Sequence, residues 1–350
     1  KLVSKNVLLK NLNFLKKQPN AIPYVTSYYK KSWGFCETHI NKIKIKKKYN
    51  FSDKFKVVVD SKFNPNGYLN YGELLIKGKS KKEILISTYI CHPSMANNEL
   101  SGPLVSVALA RYYIKKKPNY SIRFLFVPET IGSIAYISKN LKKMKKNIIG
   151  GYVLSCIGDN RKYSYLSSKY DNSISDLVAY ETLKKLNIKY QKYSFLKRGS
   201  DERQYNSPGI DLPIGSIMRS KYGTYPEYHT SLDNLKLINS KGLMGGYKVV
   251  LACIKNFQKK NIKNFKQKKR IKNKKFPYTP IKCEPFMSKR NLYHSSNHGQ
   301  KNLFMKYLHC IQYSDGTNSL ADIAKLLNYS VVQVKDMFKI LKRSGLIKFK

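Results

Sequence analysis

The chain has 350 residues, 42% of them hydrophobic, and 67 Lys and Arg against 20 Asp and Glu give it a formal net charge of +47. This length allows two or three globular domains with a sizeable core. No apolar run approaches the roughly 18 to 20 residues that a membrane span requires, and the six cysteines lack the CxxC pairs of a zinc ribbon or a disulfide framework.

The positive charge is spread through every segment of the chain. Lys is accompanied by abundant Asn, Ile and Tyr, a set whose codons are rich in A and T. Biased genome composition therefore explains the charge better than binding to nucleic acid does. The scattered cysteines favour a reducing cytoplasm as the location.

The first 80 residues differ in pattern from the rest of the chain. The chain begins at Lys1 without Met, and we expect residues 1–19 to be the end of an incomplete N-terminal part of the main domain. Short β-like pieces come next, FKVVVD at 55–60 and YLNYGELLIKG at 68–78, with the turn-forming NPNG between them. Residues 20–80 are therefore predicted to form a small, inserted, β-rich subdomain.

Residues 81–258 alternate apolar strands with helical patterns. The predicted strands are ILISTYIC, IRFLFV, GGYVLSCIG and PIGSIM, and helices are predicted near 101–116, from 132, at 173–186 and at 240–257. Uninterrupted apolar strands between helices indicate an α/β domain, with a mostly parallel sheet covered by helices on both faces. Ligands of such sheets gather beyond the carboxyl ends of the strands.

The C-terminal part begins with a basic linker, predicted over 259–300. Residues 301–350 then show three helical patterns and a short terminal strand, which resemble a winged helix-turn-helix. Gln333, Lys335, Asp336 and Lys339 are the polar groups that its third helix offers to DNA. The alternative is a module that packs against the chain or binds a protein partner.

Polar residues follow the predicted strands of the α/β domain. His92 comes after the first strand, Glu129 after the second, and Asp159 just beyond the third, while His229 lies in PEYHTSLDN. Imidazole nitrogen and carboxylate oxygen are both zinc ligands, and a separate Glu beside a metal-bound water is suited to act as a general base. The pattern therefore indicates a metal site at this edge of the sheet.

The motifs CHPS, ANNELSG, PETIGS, GSDER and YHTSLDN together resemble the co-catalytic zinc aminopeptidases. Over nearly the whole chain, the sequence is more closely similar to the bacterial aminopeptidase-like proteins with a small inserted β domain and a C-terminal winged helix, often labelled polysaccharide-biosynthesis proteins. The resemblance implies a zinc-peptidase-like fold and hydrolysis of an amide bond. It makes His92 and His229 metal ligands and Glu129 the general base.

Three positions depart from the peptidase pattern. Asn98 stands where those enzymes have a bridging Asp, Thr130 where they have a second Glu, and Ser155 where they have a later Asp. Without a bridging carboxylate, two dications at roughly 3.5 to 4 Å would repel each other with little compensation. We therefore expect one zinc per chain, held by His92, His229 and either Glu99 or Asp159.

Four further residues are expected around the site. Asp201 is predicted to support a neighbouring imidazole or loop, and Arg203 to bind a substrate carboxylate or to pair with a local acid. Asn98, and Tyr228 beside His229, complete this group.

Two functions remain open from the sequence. One is a zinc-dependent hydrolase that acts on a peptide or an amino-acylated small molecule. The other is a catalytically inactive peptidase-like binding protein whose winged helix contacts a protein partner or DNA. No membrane association is expected, and a homo-oligomer is left open.

Overall fold

The computed structural model describes residues 1–25, 32–62, 64–261, 271–292 and 298–349, with the side chains of 298–302 left out. Within these ranges, each helix falls short of the length or the apolar character that crossing a bilayer demands. The basic linker predicted over 259–300 falls partly on residues outside the description, namely 262–270 and 293–297.

The N-terminal region is built from short elements: β1 (Leu2–Ser4), α1 (Lys5–Lys10), β2 (Leu12–Asn13), β3 (Phe35–Cys36), α2 (His39–Lys48) and β4 (Lys54–Lys56). Strand β1 pairs antiparallel with β4, and β2 pairs parallel with β3. Strands β1 and β2, which lie within residues 1–19, therefore pair with strands of the predicted β-rich subdomain. The sequence instead predicts that residues 1–19 belong to the main domain.

The α/β region contains twelve elements among the described residues. They are β5 (Gly72–Ile76), β6 (Ser80–Tyr89), α3 (Ser101–Ile114), β7 (Tyr120–Val127), α4 (Ile131–Asn147), β8 (Ile148–Leu154), β9 (Ser164–Leu166), α5 (Ile174–Lys185), β10 (Gln191–Tyr193), α6 (Glu202–Tyr205), β11 (Ile214–Met218) and α7 (Ser240–Lys259).

Seven of these strands form one sheet in the order β10-β9-β11-β8-β6-β7-β5. Strand β6 is central and pairs parallel with β7 on one side and with β8 on the other. The antiparallel pairs are β5 with β7 and β11 with β9. The predicted boundary at residue 80 leaves β5 in the small subdomain, whereas the structure pairs this strand with the main sheet.

Hydrophobic cores lie on both faces of the sheet, as predicted for an α/β domain. On one face, α3, α5 and α7 pack over strand side chains such as Ile86 and Tyr152, and Phe257 of α7 lies in the same core. On the other, α4 packs over Leu85, Leu125 and neighbouring side chains. The core also holds a buried charge, because Arg123 on β7 is paired with Glu83 on β6 at 2.6 Å.

The C-terminal domain contains α8 (His298–Tyr313), α9 (Leu320–Leu327) and α10 (Val331–Arg343) around its own hydrophobic core. Helices α9 and α10 each begin with a capping box, at Ser319 and Ser330, which satisfies the first free N–H groups of the helix. The last residues add a bridge between Tyr278 and Lys348 in place of the predicted terminal strand.

Buried polar contacts join this domain to the α/β domain. Lys169 Nζ pairs with Asp315 Oδ2 at 2.7 Å, and Gln312 Nε2 donates to the backbone carbonyl of Asn206 at 2.8 Å. Separating the two domains would leave these buried polar groups without their partners, which is costly. The contacts therefore stabilise the interface between the domains.

Candidate active site

The carboxyl ends of β6, β7 and β8 meet at one edge of the sheet because the three strands run parallel. His92 follows β6, Glu129 follows β7, and Ser155 follows β8 directly. His229 reaches the same edge from the loop between β11 and α7. The centroids of the His92 and His229 rings are 5.2 Å apart.

His92 is held in place by Glu99. This glutamate lies on a π-helical turn, Ala96–Leu100, that precedes α3. One of its carboxylate oxygens accepts the backbone N–H of His92 at 2.6 Å and lies 3.2 Å from the ring Nδ1. The contact at Nδ1 fixes the orientation of the ring and directs Nε2 towards the cleft.

Glu129 faces the other side of the same imidazole. Its Oε2 atom lies 3.7 Å from His92 Nε2, and its backbone N–H donates to Cys91 Sγ at 3.1 Å. Burial raises the pKa of Glu129, and the positive charges of Arg203 and His92 oppose that rise without cancelling it. A partly buried carboxylate with a raised pKa is suited to take and return a proton near neutral pH.

The two imidazoles have opposite electrostatic environments. Burial alone would lower the pKa of His92, but hydrogen bonds to Cys91 and Glu99 and the charge of Glu129 outweigh it and raise the pKa to about 10. Burial, followed by the charge of His92, lowers the pKa of His229 to about 4. His229 is therefore a neutral imidazole at physiological pH.

His229 is positioned by two tyrosines. The Tyr228 ring stacks on its imidazole with centroids 3.9 Å apart, and the Tyr24 ring contacts both imidazoles, at 5.3 Å from His229 and 5.4 Å from His92. The Tyr24 N–H also donates to the His229 carbonyl. Across the described ranges of the chain, no hydrogen-bond partner is found for the buried Nε2 atom of His229.

Four of the ten non-glycine residues with positive φ in the described chain lie in the loops around the candidate site. Ser94, Thr130, Cys156 and His229 all have positive φ, at 64°, 65°, 47° and 55°. This region is costly for residues other than glycine, and most of all for a β-branched residue such as Thr130. The loops at the strand ends are thus held in conformations that the rest of the fold must enforce.

Asp159 is directed away from the two imidazoles. Its carboxylate accepts hydrogen bonds from Asn97 Nδ2 at 3.0 Å, from the Arg161 N–H at 2.9 Å, and from both the N–H and the hydroxyl of Ser220 at 2.9 Å. These four contacts engage both oxygens and tie the loop after β8 to the loop after β11.

Asp201 and Arg203 lie next to Glu129 and Thr130. Asp201 Oδ1 accepts the Thr130 N–H at 2.8 Å and the Ser133 hydroxyl at 2.7 Å. Arg203 donates to the Thr130 hydroxyl and lies 3.6 Å from Glu284. Burial, and then the charge of Glu129, raises the pKa of Asp201. These contacts support the loop that carries Glu129.

Two arrangements of donor atoms are compatible with a cation. In the first, the His92 and His229 rings lie 5.2 Å apart between centroids and Glu129 Oε2 lies 3.7 Å from His92 Nε2, but the donor atoms of these three residues do not all lie within 4.8 Å of one another. In the second, Cys91 Sγ, His92 Nδ1 and Glu99 all lie within 4.8 Å of one another. A single neutral imidazole binds a metal through only one nitrogen, so the two arrangements exclude each other.

The sequence reasoning did not single out Cys91, Tyr24 or Tyr89. Cys91 directly precedes His92, and Tyr89, the last residue of β6, contacts the His92 ring at 5.0 Å. Their closeness to the strand-end histidine in the sequence could have identified both as candidate site residues. Tyr24 reaches the cleft only because Pro23 bridges to Thr230, a pairing across more than 200 residues that carries no local signal.

Two family models match the chain. A domain of unknown function, DUF4910, matches residues 22–260, and a winged helix-turn-helix matches residues 276–349. A Clostridium acetobutylicum protein named "Putative polysaccharide biosynthesis protein with aminopeptidase-like domain" is 38% identical over 339 residues, which span 96% of this chain and 73% of that protein.

A solved structure gives the same assignment of fold. A C. acetobutylicum crystal structure described as a "putative peptidase" is 37% identical, with a TM-score of 0.69, and the match covers 100% of this chain and 75% of that one. A zinc aminopeptidase from Bacillus subtilis matches 52% of this chain and 48% of its own at 17% identity, and its TM-score of 0.46 is too low to support an argument about chemistry. The chain belongs to the DUF4910 family, with an aminopeptidase-like α/β domain followed by a winged helix.

Proposed function

We propose that this protein is a metal-dependent, aminopeptidase-like hydrolase of an amide bond, with one zinc ion per chain. The observation that carries the proposal is the convergence of three groups from distant parts of the sequence. The His92 and His229 rings lie 5.2 Å apart between centroids, and Glu129 lies 3.7 Å from His92 Nε2.

The donor types suit a zinc ion, although His92 and His229 supply two of the three protein ligands that a catalytic zinc usually has. His229 Nε2 is buried and lacks a hydrogen-bond partner in the described part of the chain, which is costly unless a ligand or ion binds there. Glu99 holds His92 through Nδ1, as carboxylates commonly do for metal-binding histidines. We therefore assign His92 Nε2 and His229 Nε2 as ligands, with Glu99 as the group that orients His92. Metal binding at His92 would displace the Nε2 proton that the raised pKa of this imidazole retains in the metal-free protein. Asp159 is not assigned as a ligand because both its carboxylate oxygens accept hydrogen bonds, from Asn97 and from Ser220.

A bound zinc supplies Lewis acidity, polarising the substrate carbonyl and lowering the pKa of a bound water. Glu129 accepts the proton of the attacking water, whose oxygen forms the new bond to the carbonyl carbon. When the carbon–nitrogen bond breaks, its electron pair stays on nitrogen, and Glu129 returns the proton to that amine. The protein supplies the base and its position, while Asp201 and Arg203 hold the loop that carries it.

The substrate class proposed is a peptide with a free amino terminus or an amino-acylated small molecule. A link to surface polysaccharide biosynthesis is supported only by the name of the C. acetobutylicum relative. The cytoplasmic location stays a prediction from the scattered cysteines.

Elemental analysis and a hydrolysis assay test the proposal together. The purified protein is expected to contain about one equivalent of zinc and to release p-nitroaniline from a panel of aminoacyl p-nitroanilides. Dialysis against a chelator should abolish the release, and added zinc should restore it. A protein without any divalent metal, and without activity after zinc is added, would overturn the proposal.

The alternative is a catalytically inactive binding protein. It is favoured by Asn98, Thr130 and Ser155, which replace three carboxylate positions of the peptidase pattern with weaker zinc donors. Helix α10 also exposes Gln333, Lys335, Asp336 and Lys339. Binding of duplex DNA by the full chain, with an affinity that falls steeply with salt, would favour this alternative.

A further inference from the structure

Asn98 is a completely buried amide behind Tyr89, the residue whose ring contacts His92. It lies on the π-helical turn that also carries Glu99, and its backbone N–H donates to Asp233 Oδ2 at 3.0 Å. Asp233 also accepts the N–H of Asn97 at 2.6 Å. The position of the turn is therefore fixed by a carboxylate behind it, and the Asn98 side chain points forward towards Tyr89.

The orientation of this amide follows from its one strong contact. The Tyr89 hydroxyl donates to Asn98 Oδ1 at 2.9 Å, and Cys156 Sγ lies 3.7 Å from the same oxygen. Because the Tyr89 hydroxyl and the Cys156 thiol both contact Oδ1, the Nδ2 atom lies on the side of the amide away from these two donors. Although Asn98 is 0% exposed, its Nδ2 atom has no acceptor anywhere in the residues that the structure describes.

Ser155 adds a second group of the same kind. It directly follows β8, is 1% exposed, and its Oγ atom is also without a hydrogen-bond partner among the described residues. Burial raises the pKa of Tyr89, and hydrogen bonding to the Ser155 side chain opposes that rise. Ser155 therefore lies beside the same phenol as Asn98, although its Oγ atom has no partner at full hydrogen-bond distance in the described residues. Two buried groups that can donate hydrogen bonds thus occur on adjacent sides of one tyrosine.

These donors stand next to the proposed reaction centre. Tyr89 separates Asn98 from His92, with the tyrosine and imidazole rings 5.0 Å apart, and Arg203 provides a permanent positive charge near Glu129. Donors in such surroundings attract an oxygen that carries negative charge. They repel a second dication, which would need carboxylates at these positions.

We propose that Asn98 Nδ2 and Ser155 Oγ bind the substrate carbonyl oxygen as it becomes negatively charged, in the half of the cleft where a two-metal peptidase would hold its second ion. The inference rests on the proposed function. When water adds to the carbonyl carbon, the carbonyl π electrons move onto the oxygen, and the two donors stabilise that charge. The electrons return to the carbonyl when the carbon–nitrogen bond breaks.

The test compares two probes that differ only in their anionic group. One is 1-amino-3-methylbutylphosphonic acid, whose tetrahedral phosphonate carries the negative oxygens, and the other is 3-methylbutylamine. Isothermal titration calorimetry on the zinc-loaded full chain should show phosphonate binding that weakens at least tenfold in Asn98→Asp and several-fold in Ser155→Ala. Binding of the amine should stay unchanged in Ser155→Ala.

Elemental analysis of the same samples gives an independent readout. Asn98→Asp restores a carboxylate at the bridging position, so its zinc content should rise above that of the wild type when excess zinc is supplied. Asn140→Asp on α4 makes the same chemical change away from the cleft, and it should alter neither zinc content nor phosphonate binding.

The outcomes separate this inference from the proposed function. Phosphonate binding that is absent in the wild type, or equal in wild type, Asn98→Asp and Ser155→Ala, overturns the donor pocket even if the wild type hydrolyses amides. Binding that depends on Asn98 in a protein without hydrolytic activity retains the pocket and rejects the hydrolase. Thermal unfolding checks that each variant is folded, and Ser155→Ala decides the matter if Asn98→Asp does not fold.

Discussion

A single carboxylate oxygen of Glu99 contacts His92 twice, at the backbone N–H and at the ring Nδ1. Glu99, one of the two carboxylates predicted as a possible metal ligand, therefore contacts His92 directly, and in our proposal it orients that histidine. The relationship depends on the π-helical turn, which widens the helix start and brings Glu99 back towards the strand end.

Glu99→Gln should weaken zinc binding while leaving the fold intact. The amide oxygen still accepts both N–H groups, but the negative charge that makes the imidazole a better donor is lost. Affinity should fall about 10- to 100-fold, as measured by competition with a chromophoric chelator. Glu181→Gln, which breaks an exposed ion pair with Lys260, is the matched control and should bind zinc like the wild type.

Glu129→Gln should abolish hydrolysis without removing the metal. The amide keeps the shape of the side chain but cannot accept the proton of water, so kcat should fall by roughly 10²- to 10⁴-fold. Zinc content should stay near the wild-type value. A variant that retains full activity would show that another group is the base.

Cobalt spectroscopy distinguishes the two nitrogens of His92. If the ion binds at Nε2 with His229, the Co²⁺-substituted protein should lack an intense near-ultraviolet thiolate-to-metal band. The spectrum should then be the same in Cys91→Ser and should change in His229→Ala. An intense band that disappears in Cys91→Ser would place the ion on the Nδ1 side, with Cys91 and Glu99.

Glu83→Gln should destabilise the α/β domain strongly. Glu83 forms two hydrogen bonds with the guanidinium of Arg123, which is 1% exposed. The substitution leaves a buried positive charge whose remaining charged partner, among the residues that the structure describes, is Glu73. The free energy of unfolding should fall by about 3 kcal/mol, which would be measured as a lower midpoint of urea unfolding. Asp336→Asn breaks the exposed pair with Lys339 and should change stability by less than about 0.5 kcal/mol.

His309 should make the fold sensitive to mild acid. Its Nε2 donates to the Leu196 carbonyl at 3.2 Å, and burial, followed by the charge of Arg198, lowers its pKa to about 4. Between that pH and an unfolded-state pKa of about 6.5, the unfolded chain binds more protons, so stability falls as pH drops through this window. Above it, the full stability is present.

The measurement for His309 is a comparison of urea midpoints across pH in wild type and His309→Gln. The glutamine can still donate to the Leu196 carbonyl but does not titrate. The variant should lose less stability than the wild type between pH 7 and 4, by at most about 3 kcal/mol. Identical pH profiles would contradict the prediction.

The architecture was predictable because its signals are local. The alternation of apolar strands with amphipathic helices identifies a parallel sheet, and the strand-end rule places His92 and Glu129 at one edge. The winged helix was equally predictable from the apolar spacing of its three helical patterns, and a winged helix-turn-helix match over residues 276–349 confirms it.

The directions of the loop side chains were not predictable in the same way. Glu99 and Asp159 both lie in loops that were predicted to reach the site of His92. The Glu99 carboxylate lies beside the Nδ1 atom of His92, whereas the Asp159 carboxylate accepts hydrogen bonds from Asn97 and Ser220. The choice depends on backbone angles such as the positive φ of Cys156, which is enforced by tertiary contacts. Residue type and spacing do not encode those angles.

Glu284 is shared by two arginines, through Oε1 with Arg198 at 3.2 Å and through Oε2 with Arg203 at 3.6 Å. Arg198 also donates to the carbonyl of Leu308 in α8, whereas Arg203 reaches the Thr130 hydroxyl beside the cleft. The carboxylate of Glu284 thus forms ion pairs with both guanidinium groups. Separating the C-terminal domain from the α/β domain would break both Glu284 contacts, so Arg203 would keep the Thr130 hydroxyl but lose Glu284 as a charged partner.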